Sequence, residues 1–72
     1  MAMLILEAIG PKGEEIAMAA GGAIDVAVGW DDEFDSATFD SETHGDDEFE
    51  TVVTEALAEV DPDWRSQLRI VD

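Results

Sequence analysis

The chain has 72 residues, 46% of them apolar, and sets 19 acidic residues against three basic ones and a single histidine, a formal net charge of −16. A chain this short buries only about 60% of the surface its unfolded form exposes, and with no cysteine it has neither disulfides nor a thiolate zinc site to compensate. It therefore folds on packing alone or with a partner, as a single acidic domain over residues 1–72 whose apolar content argues against a disordered tail.

In chain order, Met3 to Ile9 is almost continuously apolar and stops at Gly10-Pro11, which predicts a strand inside a sheet. Glu14 to Ala20 is open to two readings. Its Glu, Ala and Met content and its placement between Pro11 and Gly21-Gly22 suit a short helix, while Ile16, Met18 and Ala20 alternate as a strand would. Ile24, Val26, Val28 and Trp30 alternate with small or acidic residues and predict a strand with one apolar face. After the acidic turn 31–35, Ala37, Phe39 and Ser41 oppose Thr38, Asp40 and Glu42, which suggests an edge strand protected by its charges.

From Asp46 to Val60 the apolar residues Phe49, Val52, Val53, Ala56, Leu57 and Val60 fall on one face of a helix. Asp46 is the expected N-cap, and Pro62 lies just past the end. Leu68 to Val71 reads as a last short strand. The sum is an α+β fold, a small antiparallel sheet on one main helix at about 46–60, in the ferredoxin-like order βαββαβ. A β-meander followed by a helix is the alternative if Glu14 to Ala20 is a strand.

The charge is unevenly placed. Between residues 31 and 63 there are fourteen acids and no Lys or Arg, whereas residues 1–30 hold four acids and Lys12. The block contains Asp31, Asp32, Glu33 and Asp35 in the turn, Asp40 and Glu42 after it, and Asp46, Asp47, Glu48, Glu50, Glu55 and Glu59 on the helix, followed by Asp61 and Asp63. Charge runs are usually solvated faces, but such faces mix signs and gain from Glu-to-Lys pairs one turn apart. None is present here, so the acids repel one another until something cationic relieves them. On the helix, Glu48, Glu55 and Glu59 form a row along one flank, with Asp47 opposite the apolar face.

Catalytic chemistry is not expected. Ser41, His44 and Asp46 share one loop and lack the preorganised scaffold and oxyanion hole of a hydrolase. Asp40, Glu42, His44 and Gly45 match the start of a calcium loop, yet Thr51 stands where a bidentate Glu is required. A loose divalent site at Asp31, Asp32 and Asp35 is the remaining metal reading, and neither a resident metal nor a cofactor is expected. The charge disfavours direct contact with nucleic acid or anionic membranes, the longest apolar stretches (1–6 and 16–24) are too short to span a bilayer, and the start lacks the basic region of a signal peptide. A cytoplasmic monomer is expected. Trp30 and Trp64 read first as core or boundary residues; Trp30, beside the acidic turn, is the better interface candidate.

In size, lack of cysteine and the acid run from Asp31 to Asp63, the chain resembles the small phage-encoded inhibitors that imitate nucleic acid, including many anti-CRISPR proteins. The resemblance implies a non-enzymatic inhibitor that fills the basic DNA-binding cleft of a target, a CRISPR surveillance complex among the candidates. Two other classes fit the same composition. One is a halophilic domain whose acids serve hydration in concentrated salt; the other is an antitoxin or immunity-type protein that neutralises a basic enzyme.

Overall fold

The computed structural model describes residues 2–71. Its elements are β1 (Ala2–Ala8), α1 (Gly13–Ala23), β2 (Ala27–Asp31), β3 (Ser36–Ser41), α2 (Asp46–Val60), a 3-10 turn at Trp64–Ser66 and β4 (Leu68–Ile70). The strands lie in the order β2-β3-β1-β4, and every pairing is antiparallel. Each helix thus joins two strands that have a third inserted between them, which is the ferredoxin-like arrangement. The meander is excluded because residues 13–23 are helical.

Strand alternation divides the sheet into a buried and an open face. Ala2, Leu4 and Leu6 of β1, Ala37 and Phe39 of β3 and Leu68 of β4 are buried in one core with Ile16, Ala17 and Ala20 of α1 and Phe49, Val53, Ala56 and Leu57 of α2. Both helices therefore cover the same side. Side chains such as Phe39, Phe49, Leu6 and Leu57 are fully enclosed and each stabilises the fold by about 1.5–3 kcal/mol relative to exposure. On the uncovered side the register sets Gly29, Thr38 and Ile5 in one row and Asp31, Ser36, Glu7 and Arg69 in another.

Three local expectations are corrected. Strand β3 is interior, between β2 and β1, and the edges are β2 and β4. Its charge misled because Asp40 sits on the open face, while Ala37 and Phe39 are completely buried and need neighbours on both sides. Helix α1 runs through Gly21-Gly22 to Ala23. Gly21 is there for contact: a Cβ at this position would overlap the Val28 side chain, so the missing side chain lets α1 lie close on β2. Finally, the strand expected from Ile24 starts only at Ala27, because Ile24 caps α1 and Asp25 turns the chain with φ of 55°. Ile24 and Val26 still pack against the core.

Helix α2 begins where its periodicity predicts, but Gly45 is the N-cap and Asp46 is the first helical residue, without a side-chain cap. Asp46, Asp47 and Glu48 occupy the first turn, where carboxylates meet the positive end of the helix dipole. Val60, expected on the buried face, is more than a third exposed at the helix end. Across Pro62, Asp61 Oδ1 accepts a hydrogen bond from the Asp63 backbone N–H (2.9 Å), just before the 3-10 turn that buries Trp64.

Candidate functional site: an acidic surface with two recesses

None of the acids between residues 31 and 63 is buried, and all but the half-buried Asp61 are exposed. In the β2–β3 hairpin, Asp31 Oδ1 accepts hydrogen bonds from the backbone N–H groups of Glu33 (2.9 Å) and Phe34 (3.3 Å). Asp35 closes the turn in the left-handed region at φ of 49°, which aspartate tolerates better than most residues. Two of the four hairpin acids therefore have jobs in the turn itself. Asp32 and Glu33 have none.

On α2, Asp47, Glu48, Glu50, Glu55 and Glu59 are all exposed, in keeping with a flank free of apolar contact. Among the described residues the ion pair is Arg69 with Glu7 across β4 and β1, on the open face of the sheet. Arg65 lies over the ring of Trp64, 4.3 Å from its centroid. No acid of the 31–63 block is ion-paired among the described residues.

The hairpin and the start of α2 sit at opposite ends of β1. Glu7 pairs with Ser36 at the hairpin end, and Ala2 pairs with Ser41 at the other, five residues and about 17 Å apart. A recess lies at each end. The first, of about 560 Å³, is lined by Ile9, Gly10 and Pro11 from the β1–α1 loop, Glu14 of α1, Trp30 of β2, and Asp32 and Asp35 of the hairpin. The second, of about 460 Å³, is lined by Ala2, Met3 and Leu4 together with Asp40, Asp46, Asp47 and Glu50. Of the expected interface residues, Trp30, Asp32 and Asp35 line the first recess and Asp46, Asp47 and Glu50 the second, while Asp31, Glu33, Glu48, Glu55 and Glu59 line neither.

Glu14 and Asp40 belong to these recesses; Glu14 was not singled out from the sequence, and Asp40 was read only as an edge-strand charge and a calcium-loop match. Glu14 is eighteen positions from Asp32, and only the crossing of α1 over the sheet joins them. Phe34 was missed as well. It stands at the hairpin tip, 67% exposed, the most exposed large apolar side chain among those described. An aromatic residue inside an acidic turn was the available signal.

Ser41 and His44 do meet: Ser41 Oγ is 2.6 Å from His44 Nδ1, and Ser41 Oγ also accepts from the Thr43 backbone N–H at 3.2 Å. The His44 ring lies 5.6 Å from that of Phe49. Ser41 is only 8% exposed and lines neither of these recesses, and the pair ties the β3–α2 loop to the core. Among the described residues no three His, Asp or Glu side chains converge as metal ligands do, Asp31, Asp32 and Asp35 included. Nor is any described helix long and apolar enough to cross a membrane.

No family model matches the chain, and comparison with curated proteins and with solved structures returns no match.

Proposed function

We propose that this chain is a non-enzymatic inhibitor that presents its acids to the basic nucleic-acid-binding cleft of a target protein, acting in the cytoplasm of the cell that holds the target. A CRISPR surveillance complex is one such target. The observation that supports this reading is the set of fourteen carboxylates between residues 31 and 63, none buried and none ion-paired among the described residues. Duplex DNA presents one charge per roughly 1.7 Å of axis to the Lys and Arg of its binders. A helix of fifteen residues, about 22 Å long, with Glu48, Glu55 and Glu59 along one flank gives those cations an alternative partner.

The test is retention of a DNA-binding protein from a host lysate on the immobilised chain at low salt. Release by duplex DNA is expected, as is a loss of binding of at least about a hundredfold between 50 and 200 mM salt. Replacing Asp46, Asp47, Glu48, Glu55 and Glu59 with Lys should abolish retention. Retention by that variant, or indifference to competing DNA, overturns the proposal.

A second reading draws on the separation of the acids onto both ends of the molecule: a halophilic domain needs carboxylates dispersed for hydration. Such a domain unfolds in dilute buffer and regains its helical circular dichroism in molar KCl. The inhibitor is folded in both.

A further inference from the structure

We infer that the recess between the β1–α1 loop and the β2–β3 hairpin receives one arginine side chain of the target, an assignment that rests on the proposed reading of the acids as a partner surface. Its volume of about 560 Å³ falls within the range of about 300–1,000 Å³ usual for small-ligand sites. Its walls are chemically mixed. Ile9, Pro11 and Trp30 are apolar, and Glu14, Asp32 and Asp35 bring carboxylates from two separate elements.

The backbone around the recess is tied at three points. The Ala8 backbone N–H donates to the Asp35 carbonyl (2.7 Å), and Ile9 N–H donates to the Gln67 carbonyl (2.8 Å). Lys12 N–H donates to Gln67 Oε1 (2.9 Å), holding the entry to α1. Trp30 packs against the core on one side and lines the recess on another. A backbone held in this way loses little conformational freedom when the recess is occupied.

Charge and shape together select the ligand. Among the described residues no three acids converge as metal ligands do, so the recess offers a small metal ion no full ligand shell. A guanidinium is broad and flat, carries five donors, is weakly hydrated and stacks on aromatic rings. The same molecule displays that preference at Trp64, where Arg65 lies 4.3 Å above the ring. Among the described residues no cation lines the recess: Arg65 lies on Trp64, Arg69 pairs with Glu7, and Lys12 is not part of its lining. The occupant therefore comes from outside. The second recess has four acids against three in the first but no aromatic wall, which makes it a control within the same molecule.

The experiment is a titration of the full chain with N-acetyl-arginine amide at constant ionic strength, followed by amide and indole chemical shifts in ¹H–¹⁵N spectra. Parallel titrations use the lysine and citrulline analogues. The expected result is saturable shifts at Ile9, Gly10, Asp32 and the Trp30 indole, with weaker binding of the lysine analogue and none of the neutral citrulline one. Met3, Asp40 and Asp47 at the second recess should show only small, unsaturated drifts. Trp30→Ala should weaken binding about tenfold, the equivalent of a partly desolvated cation–π contact, and Trp30→Phe should restore part of it. Asp32→Asn, at an exposed position, should weaken binding with the fold intact. Equal shifts at both recesses, equal response to citrulline, or insensitivity to both Trp30→Ala and Asp32→Asn overturns the assignment. No nucleic-acid-binding protein takes part in this titration. A saturable recess without a DNA-competed partner removes the mimicry and keeps the recess, and the converse pair of results does the opposite.

Discussion

The β2–β3 hairpin and helix α2 are both dense in acid, yet their carboxylates do different things. In the hairpin, Asp31 accepts two backbone hydrogen bonds and Asp35 supplies a left-handed turn residue, so half of the charge belongs to the fold. On α2 the fold is held by Phe49, Val53, Ala56 and Leu57, and the row Glu48, Glu55 and Glu59 lies exposed with no cation paired to it among the described residues. A count of acids treats the two regions alike. Hydrogen bonding and burial separate turn chemistry from charge left free for something else.

The difference is sharpest in two phenylalanines, one 1% and the other 67% exposed. Phe49→Ala on α2 should lower unfolding stability by about 3–5 kcal/mol, enough to leave a domain of this size largely unfolded in a urea titration. Next in size is Asp31→Ala, which removes the acceptor for two turn N–H groups and should cost about 1 kcal/mol. Asp46→Lys reverses a charge in the first turn of α2 and should cost about 0.3–1 kcal/mol at low ionic strength, an effect that fades in salt. The smallest effects are expected at the exposed positions. Phe34→Ala at the hairpin tip and Glu55→Gln on the helix flank should each change stability by no more than about 0.5 kcal/mol. A large loss from Phe34→Ala would mean that the tip packs onto the fold, and a large loss from Glu55→Gln would give that carboxylate a structural task; either erases the contrast.

Much of this architecture was legible in the sequence because the apolar pattern is strong where the core is. The helix face from Phe49 to Leu57 and the alternation of Ala37, Phe39 and Ser41 both lie where periodicity places them. Errors arose where one residue type serves two purposes. Gly21-Gly22 reads as a helix stop, but tertiary contact with β2 calls for a small residue inside the helix. Asp40 reads as an edge-strand charge, but an interior strand with one open face tolerates it equally well. The site was less legible than the fold. The acids were visible, but their division between two ends of β1, and the meeting of Glu14 with Trp30 and Asp32, follow from strand order, which no local pattern encodes.

The unequal burial of the two tryptophans gives the molecule two optical reporters with different views. Trp64, 3% exposed beneath Arg65, is shielded from dissolved quenchers and changes its emission only when the core opens. Trp30 meets solvent beside Glu14, Asp32 and Asp35, where the local field concentrates cations and repels anions. Caesium should therefore quench the folded protein more effectively than iodide, and unfolding should bring Trp64 within reach of both ions.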